Sequence, residues 1–246
     1  MDRSPVFPEA TIRRYASIDS TNAEAKRLIR AGEKLPVTLV ADMQTAGRGR
    51  LGRSFHSPAG TGLYMTYAFR PDADGFRPAA LTCASAVALA RAIRKLTGIE
   101  TGIKWVNDLY LDGKKIAGIL AEGVFSPEGE LTGVLTGIGL NLCTKDFPED
   151  IRDKAGSLPT DVTDRDLWLR AILEELIPLT AASDPSSYMA EYRARSTVTG
   201  HAVTVLKNGA SRPAQALSIL DGGELLVRYE DGTEEALFSG EVSVKI

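Results

Sequence analysis

The chain has 246 residues and a mass of 26.4 kDa, enough for one large core or for a large domain with a small one beside it. Its formal charge of −3 excludes a global attraction to nucleic acid, so any basic function must be local. The two cysteines, Cys83 and Cys143, make neither a disulfide framework nor a zinc set, and no apolar run approaches the ~20 residues of a membrane span. The opening segment lacks a signal pattern, so the expected location is the cytoplasm.

In chain order, a short strand is expected over residues 11–16. A helix then starts at Ser20-Thr21-Asn22, where Thr21 and Glu24 have capping-box spacing, Ala25, Leu28 and Ile29 form one apolar face, and Gly32 is a stop. Residues 36–41 read as a buried strand, 42–60 as a loop rich in Gly and Arg, and 62–69 as an alternating strand. Residues 78–97 are rich in Ala and Leu and read as a helix stopped at Gly98, with Cys83 buried in it. Residues 101–142 read as a meander of strands, with a two-residue hairpin at Asp112-Gly113 and a turn over 127–129. Gly133, Gly137 and Gly139 imply close approach of this backbone to a ligand or another strand.

After a polar stretch, a helix is expected over residues 164–177, with Leu167, Trp168, Ile172, Leu176 and Ile177 facing in. Pro178 should end or kink it. A second helix over 185–195 follows. Beyond Thr197, short β-rich runs alternate with turns at Asn208-Gly209, Asp221-Gly222-Gly223 and Asp231-Gly232, with Val203, Val205, Leu225 and Val227 as core. The reading is an α+β chain: residues 1–196 as a mixed sheet with helices, then residues 197–246 as a small β-barrel.

Three segments carry chemistry. In the first, Gln44 to Arg53, three arginines (Arg48, Arg50, Arg53) are spaced by glycines that let backbone N–H groups approach an anion held by the guanidinium groups. No Gly-Lys-Ser/Thr is present, so this is not a P-loop. Read alone, it is equally a solvated basic loop or an RNA-binding Arg-Gly segment. In the second, Lys104-Trp105-Val106-Asn107-Asp108, a lysine beside an Asn-Asp pair can supply a cation for an oxyanion and ligands for Mg²⁺. An edge strand with a polar turn accounts for it as well. The third, Lys114 to Leu120 followed by Gly137 to Leu142, reads as adjacent core strands with small residues, which packing explains.

Taken together and in this order, the segments resemble the catalytic domain of bacterial biotin protein ligases. The residues that carry the resemblance are Ser20-Thr21-Asn22, Gln44 to Arg53, Lys104 to Asp108, Lys115-Ile116-Ala117-Gly118-Ile119 and Gly137 to Asn141. It extends to the end of the chain, where residues 203–246 look like the family's small SH3-like barrel. Two features depart from the pattern. Val106 stands where the family more often has proline, which loosens the turn and removes no reactive group. Members that also repress transcription carry an N-terminal helix-turn-helix domain, whereas here the catalytic pattern opens near Thr11, so the expectation is a ligase without a DNA-binding role.

The resemblance implies a mixed-sheet, class II synthetase-like catalytic domain, with ATP and biotin as substrates and Mg²⁺ bridging ATP phosphates. It implies that Ser20, Thr21, Asn22 and Gln44 contact biotin, with Arg48, Gly49, Arg50 and Lys104 at its carboxylate. Arg50, Arg53, Asn107, Lys115 and Asn141 fall to the nucleotide. Arg48, Arg50, Lys104 and Asp108 would be catalytic, with Asp108 also a candidate Mg²⁺ ligand. The acceptor would be a lysine of a biotin carboxyl carrier protein, and the enzyme a monomer or a homodimer. Deprotonating that lysine at pH 7 costs about 4 to 5 kcal/mol; a carboxylate such as Asp108 could take the proton, although its charge also favours the ammonium form. The rival enzyme reading is a lipoate ligase, and the rival from another class is a noncatalytic RNA-binding module. The acidic balance and the lack of a basic face interleaved with aromatics disfavour the latter.

Overall fold

The structure, a computed structural model, describes residues 12–71, 76–182, 184–207, 209–238 and 241–244. Thr11 of the first expected strand and Asn208 of the expected Asn-Gly turn lie outside the described residues. A seven-stranded mixed sheet has the order β1-β2-β3-β7-β6-β5-β4. Its strands are β1 (Ile12–Tyr15), β2 (Val37–Ala41), β3 (Gly62–Phe69), β4 (Gly102–Lys104), β5 (Asp108–Leu111), β6 (Lys114–Phe125) and β7 (Leu131–Asn141). Only β1 and β2 run parallel; the other pairs are antiparallel. Asp112 and Gly113, at φ 49° and 75°, form the two-residue loop between β5 and β6, with the two positive φ angles that a type I′ turn requires.

Alternation along the strands divides this sheet into two faces. Leu39, Ala68 and Leu135 pack on Ala25 and Ile29 of helix α1 (Thr21–Arg30). Val40, Met65, Ile119 and Ile138 belong to the larger core, under helix α2 (Pro78–Thr97). Pro78 at the start of α2 and Gly98 in the left-handed conformation at its end bound it as the sequence suggests. Helices α3 (Arg165–Ala181) and α4 (Ser186–Ala194) pack on α2.

Three local expectations are corrected. Ser20, not Thr21, caps α1: its Oγ accepts from the Ala23 N–H, which leaves the Thr21 hydroxyl for tertiary contacts. Helix α3 continues past Pro178 to Ala181, since burial of Leu179 on the core offsets the one backbone donor lost at proline. Leu167 is exposed rather than inward-facing: it sits in the first turn beside the Asp164 cap, whose Oδ1 accepts its N–H.

The second sheet is five-stranded and antiparallel, in the order β11-β10-β9-β8-β12. It comprises β8 (Ala202–Lys207), β9 (Ala210–Ile219), β10 (Leu225–Tyr229), β11 (Glu234–Leu237) and β12 (Glu241–Val244). Val203, Val205, Leu225 and Val227 are buried, as their alternation implies, and they join the same continuous core as α2 and α3.

Candidate active site

Two rows of residues across the large sheet face the same side as α1. One is Leu39–Thr66–Gly137–Leu120 and the other is Ala41–Tyr64–Gly139–Gly118. The glycines in these rows make room. A Cβ on Gly137 would lie 2.0 Å from Asn22 Oδ1, and one on Gly139 would lie 2.5 Å from the Phe55 ring, which also covers Gly118. The close approach expected at these glycines is thus made by side chains of α1 and of the loop after β2. The result is a cleft of about 810 Å³ between α1, the Gly-Arg loop, the β4–β5 turn and residues 147–155.

At the α1 end the polar groups form a connected relay. Gln44 Oε1 accepts from the Thr21 backbone N–H at 2.9 Å and from the Thr21 hydroxyl at 3.1 Å, while Gln44 Nε2 donates to Ser57 at 3.0 Å. The Thr66 hydroxyl lies 2.8 Å from Thr21 Oγ1 and 2.6 Å from Asn22 Oδ1, two acceptors for a single proton. Asn22 Nδ2 donates to the Leu120 carbonyl at 3.2 Å and to Glu122 at 3.1 Å. Thr21 and Asn22 are buried, so the relay fixes their orientation before any ligand arrives, while the buried Ser20 is fixed by its cap on α1.

The opposite wall is cationic. Arg48, Arg50, Arg53, Lys104, Lys115 and Lys154 line the cleft against Asp108 and Asp150, a local positive excess in a chain of net charge −3. Lys115 pairs with Asp108 at 2.7 Å. Lys104 lies over the Tyr110 ring, 5.5 Å from its centroid, and among the described residues neither Lys104 nor Arg48 has a carboxylate partner. Arg50 Nη1 donates to Asn107 Oδ1 at 3.1 Å, and burial pulls its guanidinium below the ordinary arginine value, with Asp108 pulling the other way. A partly desolvated cation with no full counter-charge is stabilised when an anion enters. Desolvation, followed by the nearby Asp108 charge, pushes the Tyr110 phenol up to about 12, so it stays protonated at neutral pH.

Residues 105–107 of the turn bearing Lys104 are held by hydrogen bonds from several elements. Lys104 and Asp108 are register partners across β4 and β5, and the Trp105–Val106 peptide is cis. Trp105 Nε1 donates to the Gly223 carbonyl at 2.8 Å, and the Tyr192 hydroxyl donates to the Val106 carbonyl at 2.9 Å. Asn107 Nδ2 donates to the Ile119 carbonyl at 3.0 Å. Asn141 Nδ2 donates to the Gly156 carbonyl at 2.9 Å, while its buried Oδ1 has no partner among the described residues. For Mg²⁺ the fit is slight: among the described residues no three His, Cys, Asp or Glu side chains cluster, and Asp108 is already engaged by Lys115.

All the residues singled out in the sequence line this one cleft: Ser20, Thr21, Asn22, Gln44, Arg48, Gly49, Arg50, Arg53, Lys104, Asn107, Asp108, Lys115 and Asn141. Sequence reasoning missed Thr66, Phe55, Tyr110 and Lys154. Thr66, a polar residue within the apolar run of β3, is the signal that could have been read; Phe55 becomes visible only once Gly118 and Gly139 are known to pair.

The mixed sheet, its helices and the small antiparallel sheet behind them make up the biotin protein ligase fold. The biotin protein ligase from Aquifex aeolicus, solved in complex with biotin and ATP, matches with a TM-score of 0.80 and 27% identity, over 96% of this chain and 98% of that one. A family model described as the biotin/lipoate A/B protein ligase family matches residues 15–141. The biotin–[acetyl-CoA-carboxylase] ligase of Mycobacterium tuberculosis is 34% identical over 222 residues, covering 85% of this chain and 80% of that protein. The chain belongs to the biotin/lipoate A/B protein ligase family. It is also 41% identical over 143 residues to the bifunctional ligase/repressor BirA of Bacillus spizizenii, where the match spans 57% of this chain but only 44% of that protein's length.

Proposed function

We propose that this chain is a biotin protein ligase, which condenses biotin with ATP and passes the biotinyl group to a lysine of a biotin carboxyl carrier protein. The observation that carries the reading is the cleft itself, in which a polar relay on α1 faces Lys104, Arg48 and Arg50, cations with no carboxylate salt-bridge partner among the described residues. In the first step a biotin carboxylate oxygen bonds to the α-phosphorus of ATP, the bond to the bridging oxygen breaks, and pyrophosphate leaves. Two anions must meet, so positive charge in a water-poor site lowers the barrier. Arg48 and Arg50, with the Gly49 backbone, hold the carboxylate and phosphate, and Lys104 stands where they join. Ser20, Thr21, Asn22 and Gln44 present donors and acceptors to the ureido ring.

Arg53, Asn107, Lys115 and Asn141 serve the nucleotide, where the free Asn141 Oδ1 suits an amino-group donor. Bound with ATP, Mg²⁺ would supply charge neutralisation, and Asp108 is the one protein carboxylate the sequence offers to hold it. In the second step the acceptor amine attacks the anhydride carbonyl, AMP leaves, and the amine proton passes to a base. Asp108 is the candidate, with Lys115 beside it to hold the carboxylate. Residues 1–196 form the catalytic domain in this reading and 197–246 the barrel. The enzyme works in the cytoplasm as a monomer or a homodimer. Among the described residues no helix is long and apolar enough to cross a membrane.

ATP–pyrophosphate exchange tests the reading with wild type and Lys104→Ala. Biotin should start the exchange, and the variant should lose roughly 10²- to 10³-fold in kcat, as expected for removal of one transition-state charge partner. The matching family also contains lipoate enzymes, so lipoate is the second acid to try. Exchange with lipoate and none with biotin would refute the proposed substrate.

A further inference from the structure

Helix α4 carries two consecutive side chains that reach different turns. Tyr192, fully buried, donates to the Val106 carbonyl at 2.9 Å, on the turn between β4 and β5. Arg193 donates its Nε–H to the Ile219 carbonyl at 2.7 Å and pairs with Asp221, on the turn between β9 and β10 of the second sheet. The two turns also touch directly, because Trp105 Nε1 donates to the Gly223 carbonyl at 2.8 Å. Gly223 has little freedom there. Its φ is +89°, and a Cβ on it would lie 3.0 Å from the Ala79 carbonyl carbon and 3.1 Å from Cys83 Sγ. The start of α2 therefore backs the turn from its far side.

We propose that Trp105 and Tyr192 are positioning residues for Lys104 and Asn107, and that the 219–223 turn of the second sheet is the strut on which the catalytic turn rests. The reaction served is taken from the ligase reading above. Residues 105–107 span the gap between Lys104 and Asp108, and each is held from a different element. Trp105 is held by the second sheet, Val106 by α4, and Asn107 by Arg50 and β6. Release of one hold lets the Lys104 ammonium move relative to the junction of carboxylate and phosphate, where displacement of about 1 Å is costly. The α1 relay that would bind the biotin ring makes none of these contacts, so most of the biotin affinity is kept although Lys104 also faces the carboxylate. The signature is a loss of kcat much larger than any loss of biotin affinity.

The test compares wild type with Trp105→Phe, Tyr192→Phe and Arg193→Gln, the last on a partly exposed side chain so that the core survives even if the aromatic variants fail to fold. In biotin-dependent ATP–pyrophosphate exchange, kcat should fall about tenfold in each while the biotin KM stays within about twofold. Because they act through one strut, Trp105→Phe combined with Arg193→Gln should be scarcely slower than Trp105→Phe alone. Deuterium uptake by residues 104–111 should rise in all three. Wild-type kcat in folded variants, with only a lowered Tm, would overturn the proposal. Absence of exchange in wild type would instead count against the ligase reading. Deuterium uptake would then decide the strut by itself, and unchanged uptake over residues 104–111 would overturn it.

Discussion

Gly137 has space on its sheet face only because it has no side chain. A methyl group there would lie 2.0 Å from Asn22 Oδ1 and push Asn22 out of its contacts with Thr66, Leu120 and Glu122. Gly137→Ala should therefore raise the biotin KM at least about tenfold, or about 1.4 kcal/mol, and change kcat less, since the relay acts in binding. An unchanged KM in the exchange assay would remove Asn22 from the biotin site. The two cysteines differ as sharply in their surroundings. Burial pushes the Cys83 thiol up to about 12, so its nucleophilic thiolate is scarce near pH 8, whereas Cys143 is exposed. A thiol reagent at that pH should titrate one cysteine in the folded protein and both after unfolding. Rapid titration of both in the native state would refute the packing of α2 described above.

At the level of elements, α1 is fixed at its N-terminus by Ser20 and by a cluster in which Arg27 binds both Asp19 and Glu24. Hydrogen bonding from Arg27 holds the Asp19 carboxyl at about 2. A depressed carboxylate contributes stability above its unfolded pKa of ~3.9, and that contribution is lost as pH falls through the folded value. The pair is largely exposed, so solvent screening limits it to under about 1 kcal/mol. Asp19→Asn should thus lower urea stability by that small amount at pH 6 and by almost nothing at pH 2; a larger loss at pH 2 would reverse the sign of the argument. Most elements, α1 included, are legible in the sequence because their signals are local: Pro78 and Gly98 around α2, Asp112-Gly113 between β5 and β6, alternation in β8 and β10. What could not be read depends on partners distant along the chain. Helix α3 passes Pro178 because the core receives Leu179, and the Lys104 turn is firm because Tyr192 and Gly223 hold it. The candidate site was legible as a set of residues from their order, but Thr66 and Phe55 join it only through the pairing of β3, β7 and β6.

For the whole molecule, ligand binding and stability are linked because one core runs beneath both sheets and the cleft is built on top of it. The relay is already connected without ligand, whereas the cationic wall keeps Lys104 and Arg48 without carboxylate partners among the described residues and Arg50 partly desolvated. Biotin alone meets the relay and brings one carboxylate to that wall. Adding ATP brings the phosphates, which relieve the remaining repulsion among the cations and so stabilise the folded state further. A ligand present at 100 times its Kd adds about 2.7 kcal/mol to unfolding stability. For a chain of this size each kcal/mol corresponds to roughly 2 to 4 °C, so Tm should rise by about 5 to 11 °C with biotin and more with biotin and ATP together. In Lys104→Ala the increment from ATP should shrink while that from biotin persists, because the relay does not involve Lys104. The measurement is a thermal melt at fixed protein concentration with each ligand singly and both together. A biotin increment abolished by Lys104→Ala would mean that the carboxylate contact, and not the relay, carries biotin binding, and the division of labour between the two walls would have to be redrawn.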